Sequence, residues 1–205
     1  MSGPKSSNWS DGARTSHRAE SATDLRRIAV DQAAALSRFA ALVTENRDEL
    51  DRLDAAAGDG DHGTTVARGL ASALASPCLL DAGRRFLEAA GGASGPLFGT
   101  CLSAIGRALD DGAPLSDAIQ AGVDRVVALG GAAPGERTLI DALVPAVEAL
   151  RRGEDPVAAA RAGAEATAAM QARHGRAVHL ANRGVGTVDP GARTAALLVE
   201  ALCAN

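Results

Sequence analysis

The 205-residue sequence predicts an all-α protein of about eight helices joined by short loops. Apolar residues make up 46% of the chain, enough to bury a core. Most of them are Ala, Leu and Val, and the chain has no Tyr, one Trp and three Phe, so small side chains must form the helix interfaces. Alternating runs of Val, Ile, Thr and aromatic residues, which are typical of strands, are missing. We therefore expect one helical domain over residues 23–205, preceded by a flexible polar tail over residues 1–22.

The apolar pattern places the helices in order along the chain. From Thr23, with Thr23 or Ser21 as N-cap, apolar residues recur at three- and four-residue steps as far as Val43. A short helix from about Asn46 to Leu53 follows, and another begins at Thr64 and ends near Ser76. Further helices are expected at roughly 79–90, 96–110, 114–129, 138–151, 155–173 and 191–203.

Proline and glycine mark the ends of these helices. Three prolines fall in predicted first turns, where a missing N–H is tolerated, and three glycines follow helical segments, where a left-handed residue is favoured. They are Pro96, Pro114 and Pro156, and Gly112, Gly153 and Gly175. Pro145 lies inside a helical pattern and predicts a kink there.

Charge and cysteine content exclude several classes of protein. The net charge is −4 and Lys5 is the only lysine, so no basic face for nucleic acid is expected. Cys78, Cys101 and Cys203 are irregularly spaced and are expected to be reduced thiols. No run of about 18 apolar residues occurs. We therefore expect a soluble, cytoplasmic protein that contacts no membrane.

The most informative segment is a loop of glycines and aspartates over residues 54–63. Asp54, Asp59 and Asp61 repel one another unless a cation lies between them, and all-oxygen ligation suits Mg²⁺ before Ca²⁺ when phosphates complete the shell. The calcium-binding EF-hand pattern is absent. The loop also leads into a helix N-terminus at Thr64, where free N–H groups favour phosphate. His62 either contacts a nucleotide or fills a turn, and the residues leave both open.

A second loop, residues 91–100, is also rich in glycine. Ser94 can cap the helix that Pro96 opens. The segment either contacts a nucleotide phosphate or ribose, or is a tight turn between helices. No P-loop motif is present in the sequence.

Toward the C-terminus, cations and glycines concentrate between residues 172 and 191. Arg173, Arg176 and Arg183 are candidates for neutralising phosphate oxygens, although each also fits a solvated helix end. The segment 189–191 (Asp-Pro-Gly) starts the last helix and can face a ligand. Between the two regions, residues 135–138 (Gly-Glu-Arg-Thr) are typical of a helix start.

Taken together, these segments resemble the L subunit of dihydroxyacetone kinases, the DhaL or Dak2-type domain. The matching stretches are LDAAAGDGDHGTT, GGASGPLFGT, GERTLIDALVPAVEAL, ARHGRA and GVGTVDPGA, in family order over about residues 25–203. The resemblance implies an eight-helix barrel that binds ADP or ATP at one end, with two Mg²⁺ ions held by Asp54, Asp59 and Asp61, which also act in catalysis. It places the nucleotide contacts at His62, Gly63, Thr64, Thr65, Ala93, Ser94, Gly130 and neighbouring Gly131, Leu139, Arg176, Asp189, Pro190 and Gly191.

The resemblance further implies a kinase subunit that acts with a partner. The sugar, dihydroxyacetone or a related short ketose or triose, is expected on a K-type subunit. The phosphoryl donor is either ATP or bound ADP recharged by a phosphocarrier protein, and a homodimer is left open. In the segment 175–186, Val178, His179, Asn182 and Gly184 depart from the usual family run, which leaves partner docking and the sugar specificity open. The alternative is a regulatory subunit that senses nucleotide without catalysing transfer.

Overall fold

The computed structural model describes residues 30–56, 58–174 and 184–204. In these ranges the chain forms nine α-helices and one 3₁₀ turn, Thr167–Ala169, and no strand. The helices are α1 (Gln32–Glu45), α2 (Arg47–Ala55), α3 (His62–Ala73), α4 (Leu79–Ala89), α5 (Ser94–Asp110), α6 (Leu115–Gly130), α7 (Ile140–Arg152), α8 (Pro156–Ala166) and α9 (Pro190–Cys203).

Eight of these nine helices close a ring. Each helix from α3 to α8 packs on the helix that follows it in the chain. Helix α9 packs on α1, and α1 packs on α3, which closes the ring. Neighbours run antiparallel: Gln32 at the start of α1 bonds both to Asp110 at the end of α5 and to the N–H of Leu79 at the start of α4. Short α2 lies at one end against α3, α9 and α1. The expected all-α barrel of eight antiparallel helices is confirmed. The short helix predicted from about Asn46 to Leu53 is α2, which lies outside the ring.

The core is built from a few large side chains and many small ones. Phe39, Phe86 and Phe98 are fully buried, with Leu, Ile, Val and Ala around them. Glycines bring neighbouring helices into backbone contact: a Cβ on Gly83 would lie 2.4 Å from the carbonyl oxygen of Gly99. Glycine at these positions therefore allows neighbouring helices of the ring to pack closely.

Two predicted helix boundaries are wrong by more than a turn. The first concerns the start of α1: Val30 and Asp31 are not helical, and Asp31 caps α1 by accepting from the N–H of Ala34 at 3.0 Å. A continuous helix from Thr23 is therefore wrong at these residues, because the aspartate starts a helix there. Residues 1–29, including the predicted tail and both predicted caps, lie outside the described part of the chain.

The helix predicted over 155–173 is also too long. Helix α8 ends at Ala166, and residues 170–174 after the 3₁₀ turn are not helical. The hydroxyl of buried Thr167 donates to the carbonyl of Ala164 and accepts from the N–H of Asp189 at 2.8 Å. This contact with a distant segment competes with continuation of the helix. The spacing of apolar residues within the helix cannot reveal it, because the partner lies outside the helix.

Other helix ends agree with the sequence prediction. Gly112 and Gly153 follow α5 and α7 in left-handed conformations, with φ of 79° and 72°. Pro156 opens α8 behind an Asp155 cap, and Pro145 lies within α7. In the described ranges, none of the helices combines the length and the apolar character that crossing a membrane requires.

Candidate functional site

A pocket of about 690 Å³ opens at the end of the barrel where α3, α5, α7 and α9 begin. Because the helices alternate in direction, these four N-termini share one end. The first N–H groups of a helix have no partner within it, and each N-terminus carries a partial positive charge, which together favour an anionic ligand. The topology of the ring thus creates an anion-binding end from residues far apart in sequence.

Three carboxylates converge at the rim of this pocket. One oxygen from each of Asp54, Asp59 and Asp61 lies within 4.8 Å of the others. Asp54 is half-buried, and the other two are exposed. This is the set that the sequence predicted as a magnesium site, and the loop does bring its members together. Such a concentration of negative charge is stabilised by a hard divalent cation.

Backbone contacts fix the shape of the aspartate loop. Asp54 Oδ2 accepts from the N–H groups of Gly60 at 2.9 Å and Asp61 at 3.1 Å. Gly60 has a φ of 78°, and a Cβ on Gly58 would lie 2.2 Å from Asp54 Oδ1. Glycine is therefore required at position 60 by the backbone and at position 58 by the adjacent carboxylate. Asp54 therefore both shapes the loop and contributes a carboxylate oxygen to the cluster.

Helix α3 begins at His62, two residues before the predicted start at Thr64. Its first turn is capped from outside by Asp51 of α2, which accepts from the N–H of Thr64 at 3.0 Å and from its hydroxyl at 2.7 Å. Thr64 therefore does not start the helix, and its N–H and hydroxyl are bound by an aspartate from the preceding helix. This cap joins α2 to the pocket end of the barrel.

His62 links three helices beneath the pocket. Its Nε2 lies 2.9 Å from the Thr194 hydroxyl on α9, and its Nδ1 lies 3.1 Å from the Ser94 hydroxyl on α5. The ring meets Phe98 edge-on, with centroids 6.2 Å apart. Burial lowers the pKa of His62 to about 4, only partly offset by the nearby Asp51. A neutral ring therefore serves as donor at one nitrogen and acceptor at the other.

Ser94 is the first residue of α5 and not its N-cap. The N-cap position is Ala93, whose methyl side chain cannot bond the helix N–H groups. The helix therefore begins two residues before the predicted start at Pro96, and Ser94 does not cap it because Ser94 is itself the first helical residue. Its hydroxyl contacts His62. The loop places Gly91, Gly92, Ala93 and Ser94 along the pocket wall.

The wall formed before α7 is organised by Asp141. This buried carboxylate accepts from the N–H groups of Gly135 and Thr138, and it holds the turn that contains Arg137. Arg137 is 4% exposed, has a φ of 62°, and donates from Nη2 to the carbonyl of Thr187 at 3.1 Å. The predicted helix start at residues 135–138 is thus a pocket loop, and α7 begins at Ile140.

The fourth wall is the start of α9. Asp189 caps this helix by accepting from the N–H of Ala192 at 2.8 Å. Burial raises the pKa of Asp189 to about 6, although the bond to Ala192 and the nearby Arg137 act in the opposite direction. The carboxylate is therefore ionised at neutral pH at a cost in free energy.

This raised pKa predicts how stability depends on pH. A carboxyl group whose pKa is higher in the folded state than in the unfolded state stabilises the fold at low pH, and the contribution is lost as pH rises through about 6. Asp189→Asn keeps a capping oxygen but cannot titrate. From pH 7 to pH 4, wild type should gain on the order of 2 kcal/mol in unfolding free energy relative to this variant. Urea denaturation of both proteins at the two pH values measures the difference, and equal changes would contradict it.

Most of the predicted site residues line this one pocket. Eleven of the fifteen do so: Asp54, Asp59, Asp61, His62, Thr65, Ala93, Ser94, Leu139, Asp189, Pro190 and Gly191. Gly63, Thr64 and Gly130 are not among its lining residues. Gly63 instead packs on the carbonyl of Arg47, where a Cβ would lie 2.3 Å from the oxygen. Arg176 lies outside the described residues.

The pocket also includes residues that sequence reasoning did not select. They are Arg68, Leu97, Phe98, Arg137, Thr138 and His174, with glycines 58, 91 and 92. The glycines follow from the two loops already identified. Arg137 and His174 come from separate loops that only the closed ring brings together, and a single arginine in a turn gives no signal in one sequence.

Comparison with known proteins places this geometry in a family. The model of the DAK2 domain matches residues 56–204. An L-erythrulose 1-kinase of Mycolicibacterium smegmatis is 40% identical over 97% of this chain, and a D-erythrulose kinase of the same organism is 41% identical over 80%. The chain spans only 39% and 33% of the length of these two relatives.

A shorter relative matches over nearly its whole length. The ADP-binding subunit DhaL of a PEP-dependent dihydroxyacetone kinase from Listeria innocua is 36% identical over 82% of this chain and 91% of its own. The crystal structure of the dihydroxyacetone kinase of C. freundii with AMP-PNP and Mg²⁺ superposes with a TM-score of 0.67 and 29% identity, over 97% of this chain and 37% of that one. The chain therefore belongs to the DAK2 domain family, as a DhaL-type domain.

Proposed function

We propose that this chain is the nucleotide- and magnesium-binding part of a kinase that phosphorylates a short ketose held by a K-type partner subunit. The observation that supports it most directly is the pocket itself. Three carboxylates meet at its rim, and four helices begin around it. One ligand class satisfies both features, a nucleotide whose phosphates carry divalent metal.

The residues present fit magnesium. Asp54, Asp59 and Asp61 offer only oxygen atoms, in a cluster small enough to share metal ions. We propose two Mg²⁺ ions there. Bound magnesium supplies positive charge to phosphate oxygens and holds them in place for transfer. The protein contributes the fixed loop, because the two backbone N–H groups that brace Asp54 keep the three carboxylates together.

The other pocket residues fit the nucleotide. Ala93 and Ser94, at the start of α5, lie on the pocket wall, where their backbone N–H groups can serve phosphate oxygens. The buried side chains of Leu139 and Phe98 give the pocket apolar surface suited to a base or ribose. We propose that ADP or ATP also contacts further residues of the predicted set, namely His62, Thr65, Asp189 and Pro190, with Arg176 and Gly130 completing the site.

The acceptor is proposed to be a ketose of three or four carbons, dihydroxyacetone or erythrulose. The Mycolicibacterium smegmatis relatives are erythrulose kinases, whereas the Listeria innocua relative belongs to a dihydroxyacetone kinase. The pocket opens at a barrel end, and two of its three aspartates are exposed, so a partner that carries the sugar can approach the phosphates directly. Transfer then depends on positioning and charge neutralisation.

A coupled assay tests this proposal. The purified chain is combined with a K-type subunit, Mg²⁺ and either ATP or a phosphocarrier system with phosphoenolpyruvate, and phosphorylation of dihydroxyacetone and of both erythrulose enantiomers is measured. Transfer that requires both proteins supports the proposal, and the effective donor separates an ATP-dependent enzyme from one that recharges bound ADP. Nucleotide binding without transfer under every condition would instead favour a regulatory subunit.

Calorimetric titration with ADP provides a second, independent prediction. We expect binding that requires Mg²⁺, because the three carboxylates repel phosphate unless metal lies between them. Excess EDTA should weaken the affinity at least about 100-fold, corresponding to the several kcal/mol of metal-mediated charge stabilisation. Equal affinity for ADP with and without metal would contradict the assignment of the aspartates.

A further inference from the structure

Arg137 is the most unusual charged residue in the described part of the chain. It is only 4% exposed, yet it lines the pocket. Its Nη2 donates to the carbonyl and hydroxyl oxygens of Thr187 at 3.1 and 3.3 Å. Its Nε and Nη1 have no hydrogen-bond partner among the described residues. A buried guanidinium with two unused donor nitrogens requires an acceptor, and an anion is the natural one.

The backbone at Arg137 is also unusual. Its φ of 62° is in the left-handed region, and it is the one non-glycine residue with positive φ in the described ranges. The conformation is held by Asp141, which binds the N–H groups of Gly135 and Thr138 on either side of it. Side chains rarely adopt this conformation unless the surrounding structure imposes it, and such positions concentrate at ligand sites. The turn therefore holds a cation in the wall of the pocket.

The position of Arg137 complements that of the aspartates. In the order of the ring, α3 and α7 are four places apart, so the loop before α7 faces the loop before α3 across the barrel. A nucleotide polyphosphate carrying metal on the side of the aspartate loop has anionic oxygens left to neutralise on the opposite side. One guanidinium fork suits that task.

We propose that Arg137 binds the phosphate groups of the nucleotide, with Thr187 orienting its guanidinium. This inference rests on the proposed function and adds to it a phosphate-binding side chain opposite the metal cluster. Thr187 reaches Arg137 from the segment before α9, and its hydroxyl donates to the carbonyl of Gly184 at 2.7 Å. The two loops thereby enclose the phosphates together.

The carboxylates around Arg137 are engaged elsewhere and do not supply the acceptor that its Nε and Nη1 lack among the described residues. Asp141 is used by the two backbone N–H groups, and Glu136 bonds Ala133 and His174. Asp189 lies near enough to Arg137 to interact electrostatically, but its carboxylate is used as the cap of α9. None of these groups forms a hydrogen bond with Nε or Nη1 of the arginine in the described residues.

The test is the affinity of variants for adenosine, AMP, ADP and ATP in Mg²⁺, measured by calorimetry. Arg137→Gln should weaken ADP and ATP about 10- to 100-fold, while adenosine changes less than about threefold, and Arg137→Lys should be intermediate. Arg151→Gln is the matched control, since Arg151 is an exposed arginine in the last turn of α7, at the opposite barrel end, where it pairs with Asp117 at 3.5 Å. It should bind all four ligands as wild type does.

Each result discriminates between explanations. An equal loss for adenosine and ADP would make Arg137 a structural residue and overturn the proposal, as would wild-type ADP affinity in Arg137→Gln. Wild-type protein that binds no nucleotide would instead overturn the proposed function. If Arg137→Gln does not fold, a crystal structure of wild type with ADP and Mg²⁺ decides: a phosphate oxygen hydrogen-bonded to the guanidinium supports the proposal, and its absence refutes it.

Discussion

Asp59→Asn is expected to abolish phosphoryl transfer and to leave the helices folded. Asp59 is exposed within the aspartate loop, whereas Asp54 also braces the loop through Gly60 and Asp61. Replacing Asp59 therefore removes negative charge from the proposed metal site and leaves in place the two N–H bonds by which Asp54 braces the loop. Metal stabilisation of transferring phosphate is worth several kcal/mol, so the rate should fall at least about 100-fold.

The measurement is the rate of sugar phosphorylation in the coupled assay, together with circular dichroism and thermal unfolding. Asp48→Asn is the matched control, because it makes the same chemical change at an exposed position of α2 where the aspartate contacts Arg47. It should retain wild-type activity. Full activity in Asp59→Asn would refute a catalytic metal site at this loop, and loss of helical signal would show that the effect is structural.

The helical architecture was predictable because it depends on local patterns. Apolar residues at three- and four-residue steps define each helix, and Gly112, Gly153 and Pro156 mark ends where only local backbone geometry matters. The boundaries that failed depend on distant partners. Thr167 ends α8 because it binds Asp189, 22 residues away, and no periodicity within α8 contains that information.

The residues of the candidate site also fall into two groups, those that local sequence reveals and those that depend on distant contacts. The aspartate loop was recognisable because its three carboxylates and its glycines lie within a few residues of one another, so the repulsion between the charges is visible in the sequence. Arg137 was not recognisable, since a single arginine in a polar turn usually remains in solvent. Its burial results from ring closure, which brings Thr187 over it from a segment 50 residues away. Sequence motifs thus revealed the aspartate loop, whereas the role of Arg137 in the pocket wall is visible only in the tertiary structure.

Asp141 illustrates how packing between helices reaches the pocket. Pro145 has no N–H, so the carbonyl of Asp141, four residues earlier, lacks its usual partner within α7. Helix α8 approaches closely at this point: a Cβ on Gly163 would lie 2.1 Å from that carbonyl oxygen and 3.1 Å from Pro145 Cγ. Meanwhile the Asp141 carboxylate holds the turn that carries Arg137. Pro145, Gly163 and the Asp141 carboxylate therefore couple the packing of α7 against α8 to the position of the turn at Arg137.

Gly163→Ala is therefore expected to destabilise the protein and to weaken nucleotide binding at the same time. The added methyl group meets backbone, which cannot rotate away, so α7 and α8 must separate, at a cost of about 1–3 kcal/mol or more. The higher helix propensity of alanine offsets about 1 kcal/mol of this. We expect a net loss of about 1–2 kcal/mol in unfolding free energy. The affinity for ADP should be about tenfold weaker, because displacement of Asp141 loosens the turn at Arg137.

Urea denaturation and ADP titration measure the two effects. Gly130→Ala is the control for stability alone, because Gly130 is also a helical glycine, at the end of α6, but a Cβ at this position would meet no atom within 4 Å. Its unfolding free energy should be unchanged or slightly raised. If Gly163→Ala were as stable as wild type, the close approach of α8 to the Asp141 carbonyl would not be a constraint. A destabilised variant with wild-type ADP affinity would show that the pocket is mechanically independent of the α7–α8 interface.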